Sequence, residues 1–441
     1  MVEGSKGFRM MKHVRVTLAL IVWALVVSAA PAQQYTLIDL GVFPTGNESR
    51  AAALNASGLV TGAAGITTDF PPDYRAYIWQ SGVMSLFGTP PDSMVPGSGG
   101  TASEGRSINV HGHVVGLTNQ FTGTSYVTRG FYFDGTNNVF VPLLPGGGTN
   151  VANDINASGI VVGYSNLAAD PAMPPYVAFR WDANSAAPPT QLPTFYGGAN
   201  STIANGLNDG GRIVGTGEFD ANGRQRAFIW DNGDANLTAI PVLPPINASD
   251  PNTFNNFANK VNVHGNVVGV SDVSDFFGTG IFQQNAFLYI SATNTLIDIG
   301  TLGGNLGEGR GINSLNDVVG FSNDVENGVD IAFIWTQSGG IVDLNTLLDS
   351  TGDGWFLERA EAINDEGWIV GFGIAPNGDT HAYLLRPAAI PEPATWALLG
   401  TLAMGGAAGY WHRRREARLV QDEDSGEVTL ANSPPSGSSN G

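Results

Sequence analysis

Residues 155–163 read INASGIVVG, and a stretch of this kind occurs seven times in the 441-residue chain. The other copies are LNASGLVTG (54–62), INVHGHVVG (108–116), LNDGGRIVG (207–215), VNVHGNVVG (261–269), INSLNDVVG (312–320) and INDEGWIVG (363–371). The repeat asparagines, at the second position of each copy, lie 47 to 54 residues apart. A period near 50 residues indicates a propeller or a solenoid.

Each copy has the composition of a β-hairpin. The third residue after the repeat asparagine is glycine in six copies and Asn316 in the seventh, and these two residue types adopt positive φ most readily. The next residues are mainly β-branched, as in Val161 and Val162, which predicts a strand buried on both faces. A small residue stands four positions before every repeat asparagine, which indicates a crowded strand near an axis.

Two further strands follow each hairpin. A third strand has a pattern such as AFRW (178–181) or AFIW (332–335), with two large rings on one face that would fill the wedge between sheets. A fourth strand follows, and its versions with Pro142, Pro193 or Pro241 suit an outermost edge because proline donates no ladder hydrogen bond. Four antiparallel strands make one propeller blade.

The two ends of the repeat region complement each other. The seventh unit has a third strand at residues 381–385 but no fourth strand, whereas residues 35–41 (YTLIDLG) match the fourth strands of units five and six. Pairing of these two segments would close a ring and leave no free sheet edge. We therefore predict an all-β protein, a seven-bladed β-propeller of four-stranded antiparallel blades over residues 33–388, closed by its amino-terminal strand.

Composition narrows the classes of partner. Glycine is abundant, with 59 residues, only 13% of residues are charged, and cysteine is absent, which rules out disulfides and thiolate metal sites. Between residues 33 and 390 there are 12 Lys and Arg against 32 Asp and Glu, a net charge of about −20. Such a surface repels phosphate backbones, so we expect no nucleic-acid partner.

The amino end has the layout of a secretory signal peptide, which we assign to residues 1–32. Basic residues are followed by the apolar run 16–30 and by an Ala-x-Ala site at residues 30–32. A permanent membrane anchor is the alternative.

The carboxyl end combines three parts between residues 389 and 415. The tripeptide Pro391, Glu392 and Pro393 precedes the apolar stretch 394–411, which is followed by the basic cluster Arg413, Arg414 and Arg415. We predict that the apolar stretch forms a single C-terminal hydrophobic helix, which would be barely long enough to cross a bilayer. Residues 416–441 are predicted to be disordered.

This arrangement closely resembles the PEP-CTERM sorting tail of exported bacterial envelope proteins. The resemblance implies recognition by an exosortase-type sorting protease. It also implies attachment to the inner membrane at least transiently, and then a place at the cell surface or in the extracellular matrix of a Gram-negative-type bacterium. Such tails usually end soon after the basic cluster, so plain anchoring by one helix is an alternative to cleavage.

The repeats themselves resemble the HAF-repeat family of exported bacterial proteins. The resemblance lies in the third-strand and hairpin patterns of residues 35–386, with the family's His-Ala-Phe phrase closest at residues 381–383 (HAY). It implies an extracellular repeat protein without an established chemistry.

Polar residues recur three positions before the repeat asparagines, and we name these seven positions the ring residues. They are Ala52, Arg106, Asn153, Asn205, Asn259, Arg310 and Glu361. On the innermost strands of a propeller they would form a ring near the channel mouth. The six polar members are the candidate ligand-binding residues, although a water-filled channel also needs a polar wall.

No metal site or cofactor is predicted. His111, His113 and His264 fall in hairpin turns without accompanying carboxylates, so we expect exposed turn histidines. Asp349 and Asp353 have oxygen-rich spacing, and here an ordinary loop is the prediction and a Ca²⁺ site the alternative.

The leading functional hypothesis is a non-enzymatic envelope or matrix protein that binds extracellular polysaccharide or other macromolecules. A rival is a secreted polysaccharide hydrolase or lyase with Arg106, Arg310 and Glu361 at the channel. A purely structural spacer is the third hypothesis.

Overall fold

A computed structural model describes residues 33–67, 73–87, 103–122, 126–167, 176–195, 201–246, 254–274, 282–324 and 328–388. The chain divides into two units, Met1–Ala388 and Ala389–Gly441, and the second lies outside the described residues. The described residues form 28 strands, numbered β1 to β28 in chain order, and these pair into seven four-stranded sheets.

Each sheet is an antiparallel blade, and in six of the seven the strands follow one another in sequence from the inside outward. The innermost strands are β2 (Ser49–Leu54), β6 (Ser103–Ile108), β10 (Asn150–Ile155), β14 (Thr202–Leu207), β18 (Asn256–Val261), β22 (Gly307–Ile312) and β26 (Phe356–Ile363). The second strands are β3 (Val60–Gly65), β7 (Val114–Phe121), β11 (Ile160–Asn166), β15 (Ile213–Glu218), β19 (Val267–Ser274), β23 (Val318–Asn323) and β27 (Ile369–Ile374).

The two outer positions complete the blades. The third strands are β4 (Tyr74–Gln80), β8 (Tyr126–Phe133), β12 (Tyr176–Asp182), β16 (Gln225–Trp230), β20 (Gln283–Ile290), β24 (Asp330–Thr336) and β28 (Thr380–Pro387). The outermost strands are β5 (Val83–Leu86), β9 (Asn138–Phe140), β13 (Thr190–Gln191), β17 (Thr238–Ala239), β21 (Thr295–Gly300), β25 (Gly340–Asp343) and β1 (Tyr35–Gly41). Two short 3₁₀ helices, Leu344–Leu347 and Ser350–Gly352, precede β26.

The blades form a closed ring. Each innermost strand contacts the innermost strands of both neighbouring blades, and the series closes between β26 of blade 7 and β2 of blade 1. Blade 7 takes its outermost strand from the amino end, because β1 pairs antiparallel with β28 from Tyr35 opposite Pro387 to Asp39 opposite Tyr383. The predicted seven-bladed propeller and its closure by the amino-terminal strand are confirmed.

The repeated phrase forms the hairpin between the first two strands of each blade. In blade 3 the Asn156 side-chain oxygen accepts a hydrogen bond from the Ile160 amide at 2.9 Å. The six glycines three residues after the repeat asparagines have φ between 74° and 87°, and Asn316 has φ 67°. The predicted turn, including the left-handed asparagine, is confirmed.

The same asparagines also join neighbouring blades, which the sequence did not indicate. Asn109 donates through Nδ2 to the main-chain oxygen of Asn156 at 3.0 Å, and Asn262 donates to that of Asn313 at 2.9 Å. Asn364 of blade 7 reaches Asn55 of blade 1 at 3.4 Å. Six of the seven repeat asparagines make such a bond.

Large aromatic rings fill the wedges between blades, as predicted. Phe179 and Trp181 of blade 3 pack in one buried cluster with Val115 and Tyr132 of blade 2. The second strands are buried on both faces, and Val161 has no exposed surface.

The outer strands differ from the prediction. Pro142, Pro193 and Pro241 lie just beyond β9, β13 and β17 and not within them, and these strands have only two or three residues. In each case the residue before the proline, such as Val141, still donates a main-chain hydrogen bond to the third strand. Proline has no N–H to continue this ladder, so it ends the pairing.

Two predicted segments lie outside the described residues. These are the signal peptide, residues 1–32, and the tail from residue 389 onward with its hydrophobic helix. Within the part of the chain that the structure describes, no helix is long and apolar enough to cross a membrane.

Candidate functional site

Every innermost strand carries a β-bulge at its ring residue. The register against the second strand shifts between Ala51 and Ala53 in blade 1, and at the same place in the other six blades. A bulge leaves one residue unpaired and turns its side chain out of the regular alternation. The seven unpaired residues are Ala52, Arg106, Asn153, Asn205, Asn259, Arg310 and Glu361.

The last glycine of each repeated phrase lies opposite this bulge. A Cβ added to Gly163 would stand 1.9 Å from the main-chain oxygen of Val151, and the equivalent distance is 1.8 to 2.0 Å in all seven blades. Only a residue without a side chain fits there, so the glycine permits the close approach of the two strands beside the bulge.

The bulges bring all seven ring residues to one cavity. This mouth pocket has a volume of about 600 Å³ and lies at the end of the channel away from the hairpin turns. The structure therefore assembles the predicted set in one place, while its role in binding a ligand stays a prediction.

The ring residues bond to one another across blade boundaries. Arg106 donates to Asn153 Oδ1 at 2.7 Å, and Asn153 donates to the main-chain oxygen of Ala204 at 2.9 Å. Asn205 donates in the same way to Ala258 at 2.8 Å. The asparagine side chains of blades 3 and 4 are thus held as a polar wall.

An arginine between two carboxylates continues this polar wall in blades 6 and 7. Arg310 donates through Nε to Glu361 Oε2 at 2.9 Å and through Nη1 to Glu308 Oε1 at 3.0 Å. Asn259 donates to the same Glu308 oxygen at 2.9 Å. Burial alone would lower the pKa of Arg310, but the adjacent Glu361 and Glu308 carboxylates raise it above its ordinary value.

The polar wall has a gap at Ala52. Blades 7, 1 and 2 contribute most of the residues that line the mouth pocket, and Ala52 and Ala63 leave a notch among them. Tyr74 and Phe372 flank this side, and the Arg50 guanidinium lies 4.8 Å from the centre of the Phe372 ring. Burial and a 2.6 Å hydrogen bond to Glu48 raise the pKa of Tyr74 to about 12.

An ion pair joins two blades that are not neighbours, next to the ring residues. Lys260 of blade 5 lies 3.0 Å from Asp154 Oδ2 of blade 3, past the intervening blade 4. Asp154 also accepts hydrogen bonds from Ser107 of blade 2 and from the Leu207 amide of blade 4. Lys260 of this pair lines the mouth pocket, and a second cavity of about 270 Å³ is lined by the hairpin turns.

Sequence reasoning missed several lining residues. Arg50, Glu104 and Arg359 stand two positions before ring residues and line the mouth pocket with them. The period of two along a strand would have predicted this face. No sequence signal pointed to Tyr74, which comes from a strand outside the repeated phrase, or to Phe372, which follows the last glycine of the seventh copy on β27.

The histidine and aspartate candidates lie away from the mouth pocket. The rings of His111 and His113 are 5.7 Å apart, and His113 Nδ1 lies 3.1 Å from the Tyr132 hydroxyl. Burial and the neighbouring His111 lower the pKa of His113. The His264 amide donates to the Asn262 side chain within its turn.

The loop at Asp349 and Asp353 is tied to the closing strand. Asp349 Oδ2 accepts from the Thr36 hydroxyl at 2.6 Å, while Thr351 Oγ1 accepts from the Leu37 amide at 2.7 Å. Among the described residues, no group of three or more His, Cys, Asp or Glu side chains is placed to hold a metal ion. The predicted sorting residues, Pro391, Glu392, Pro393, Arg413, Arg414 and Arg415, lie outside the described residues.

Comparison with known proteins gives one family match. Residues 147–247 match the model described as "Protein of unknown function (DUF3466)". This segment covers less than half of the chain. No curated protein matches the sequence.

Several solved structures are similar in fold. A putative TolB from Agrobacterium tumefaciens is 12% identical, with a TM-score of 0.39 over 66% of this chain and 91% of that one. A GH74 enzyme from Niastella koreensis is 12% identical, with a TM-score of 0.43 over 78% and 54% of the two chains. The Trypanosoma rangeli sialidase is 8% identical, with a TM-score of 0.37 over 85% and 62%. At these values the similarity says nothing about a reaction or a ligand.

Proposed function

We propose that this protein is an exported, non-enzymatic binding protein that holds carbohydrate in the mouth pocket of its propeller. The observation that carries the proposal is the convergence of seven bulged residues, one per blade, on a single cavity of about 600 Å³. A volume in the range of about 300–1,000 Å³ is typical of ligand sites.

The chemistry of the pocket wall suits a sugar. Each sugar hydroxyl can both donate and accept a hydrogen bond, and the wall offers guanidinium donors beside carboxylate and amide acceptors. Tyr74 and Phe372 add apolar surface on the open side at Ala52, where the carbon face of a sugar ring can pack.

The arrangement of the carboxylates favours binding over hydrolysis. Glycoside hydrolysis generally needs one carboxyl group that gives its proton to the leaving group and a second that acts as base or nucleophile. The two carboxylates that line the pocket each lie beside a cation, because Glu361 accepts a hydrogen bond from Arg310 at 2.9 Å and Glu104 lies 3.8 Å from Arg106 Nε. For this reason we place the rival hydrolase or lyase behind the binding role.

Export and sorting belong to the same proposal. They are supported by the signal-peptide pattern of residues 1–32 and by the PEP-CTERM-like tail with Pro391–Pro393 and Arg413–Arg415. We propose that an exosortase-type protease recognises the tail and that the protein reaches the cell surface or the extracellular matrix. Fractionation of cells that express the full chain, with mass spectrometry of its mature ends, tests this part.

Filling the notch at Ala52 tests the binding site. We expect the full-length protein to bind at least one of dextran, polygalacturonate or heparin in isothermal titration calorimetry. Ala52→Trp should weaken that binding at least tenfold, because the new ring enters the pocket and the replaced methyl group makes no hydrogen bond. The matched control is Ala56→Trp, at an exposed turn position that lines the second cavity, and it should bind like the wild type.

The proposal is wrong if the wild type binds no glycan, or if the two tryptophan variants bind equally well.

A further inference from the structure

Positive charge is concentrated at the mouth pocket. Residues 33–388 hold 12 Lys and Arg against 32 Asp and Glu. Five of those 12 cations line this single cavity, together with only two carboxylates, Glu104 and Glu361. The five are Arg50, Arg106, Lys260, Arg310 and Arg359. The pocket lining is therefore net positive on a body of strongly negative charge.

The arginines come from four consecutive blades. Arg310 belongs to blade 6, Arg359 to blade 7, Arg50 to blade 1 and Arg106 to blade 2. We name these four residues the arginine arc. The asparagine ring residues of blades 3, 4 and 5 complete the circle, and Ala52 lies within the arc.

We propose that the mouth pocket selects glycans that carry anionic groups, carboxylate or sulfate, and that the arginine arc binds those groups. This inference rests on the carbohydrate-binding function proposed above and specifies the class of ligand.

Three arginines of the arc are each fixed on one side by carboxylates and have donors left on another. Arg50 uses Nε and Nη2 on Glu48, and Arg359 uses Nε, at 2.7 Å, and Nη2 on Asp330. In both arginines, Nη1 takes part in none of these bonds. Arg310 uses Nε and Nη1 and retains Nη2. A guanidinium has five N–H donors, so these groups are oriented in advance and can still donate to an anion.

Three of the carboxylates that orient the arc do not line the pocket. Glu48, Glu308 and Asp330 fix their arginines but are absent from the cavity wall, whereas Glu361 and Glu104, beside Arg310 and Arg106, line it. The wall therefore presents the four arginines and Lys260 against two carboxylates. The arginine side chains stay 32% to 49% exposed. A concave site whose wall carries an excess of one sign raises the local concentration of ions of the opposite sign.

The asparagine ring residues cannot replace the arginines in this role. Asn153, Asn205 and Asn259 already donate through Nδ2 to main-chain oxygens of the next blade. An amide also lacks the charge that makes a hydrogen bond to carboxylate or sulfate about twice as strong as a neutral one. Selection for an anion therefore depends on the arc.

A pair of substitutions at Ala52 tests this inference without removing any ion pair. Ala52→Glu places a negative charge within the arc, and Ala52→Gln places a neutral group of the same size there. Binding of the full-length proteins to polygalacturonate, heparin and dextran is measured by calorimetry at low and at high salt, with thermal melting as a check on folding.

We expect tighter binding of polygalacturonate or heparin than of dextran, and weaker binding of the anionic glycan at high salt because exposed charges are screened. Ala52→Glu should bind that glycan at least tenfold more weakly than Ala52→Gln, with no such difference on dextran. Arg50→Gln should also lose affinity for it, whereas Arg180→Gln, on the third strand of blade 3 and away from the pocket, should not. The comparison of polygalacturonate, which carries carboxylates, with heparin, which also carries sulfates, identifies which anion is preferred.

Equal binding of dextran and the anionic glycans, together with equal binding by the Ala52→Glu and Ala52→Gln variants, overturns the inference and leaves the carbohydrate-binding function intact. Salt-sensitive binding that Arg50→Gln and Arg180→Gln weaken alike also overturns it, because it assigns the attraction to the whole surface. If no glycan binds, the proposed carbohydrate-binding function itself is wrong.

Discussion

At the scale of single residues, the repeat asparagine performs two tasks. In blade 5, Asn262 Oδ1 accepts from the amides of His264 and Asn266, both at 3.0 Å. Its Nδ2 donates to the Asn313 main-chain oxygen at 2.9 Å and to Asn316 Oδ1 at 2.8 Å. One buried side chain therefore closes its own turn and attaches the turn to the next blade.

Removing this side chain should cost several hydrogen bonds at once. We expect Asn262→Ala to lower the free energy of unfolding by about 2–4 kcal/mol, because buried donors and acceptors lose their partners. Val263→Ala is the control in the same turn, where the side chain is 62% exposed, and it should change stability by less than about 0.5 kcal/mol. Chemical denaturation measures both, and equal effects would contradict the assigned role.

Glu358, near the arginine arc, gives a prediction about pH. Burial, with the nearby Asp330 and Glu48, raises the pKa of its carboxyl group above the ordinary value, while Arg50 and Arg359 act in the opposite direction. A raised folded-state pKa means that the carboxyl favours folding below its unfolded pKa, and that this contribution is lost as the pH rises through the folded value.

Glu358→Gln should therefore stabilise the protein at pH 7 by less than about 1 kcal/mol, because the group is partly exposed. The gain should vanish near pH 4, where the wild-type carboxyl is protonated. Melting curves at the two pH values measure this, with Glu366→Gln at an exposed turn position as the control. A gain of the same size at both pH values would rule out the charge as its cause.

At the scale of elements, the bulged hairpin is the unit that builds the site. Its innermost strand turns one side chain into the channel, and the glycine on the second strand leaves room for the partner's main chain. In blade 5 a Cβ on Gly269 would stand 1.9 Å from the Phe257 main-chain oxygen. The neighbour is backbone, which cannot move aside as a flexible side chain can.

Gly269→Ala should accordingly destabilise the protein by about 3 kcal/mol or more, with loss of soluble protein as an extreme outcome. Gly148→Ala is the matched control, because the nearest atoms to its added Cβ are side-chain atoms of Asn166 at 3.8 and 3.9 Å. It should melt within about 2 °C of the wild type. If both variants melt alike, the two strands can separate at little cost.

The elements also define what sequence alone can predict. The hairpins, the aromatic third strands and the ring residues follow from patterns that recur at the same offset from each asparagine. The bulge adds one residue to a strand without a distinctive residue type, so its position is visible only in the pairing. The period of two along a strand places Arg50 and Arg359 on the face of the ring residues, but only the assembly of four blades shows that they meet in one arc. The short outer strands were missed because Pro142 ends the pairing that it was expected to join.

At the scale of the whole molecule, the ring is held closed where β1 meets β28. Thr36 lies opposite Arg386 across this seam, and the Asp349 loop binds the outer side of β1 through the Thr36 hydroxyl. Since the amino-terminal strand joins the last blade, opening this seam is the step that would expose two sheet edges at once.

A disulfide across the seam tests how far stability depends on closure. The chain has no cysteine, so Thr36→Cys with Arg386→Cys creates a single cysteine pair. Directly opposed residues of an antiparallel ladder lie about 4.5–5.5 Å apart between Cα atoms, within the range of a disulfide. Oxidation should raise Tm by about 5 °C over the reduced form of the same protein, because it fixes a very long loop in the unfolded chain.

A second pair shows whether the gain belongs to the seam. Ile374→Cys with Thr380→Cys joins β27 to β28, directly opposed residues that are already close in sequence. Closing so short a loop removes less unfolded-state entropy, so its oxidation should raise Tm by a smaller amount. An oxidised seam variant that melts with its reduced form would mean that the propeller begins to unfold elsewhere. A gain for the seam pair no larger than that for the hairpin pair would show that closing the ring adds nothing beyond a local cross-link.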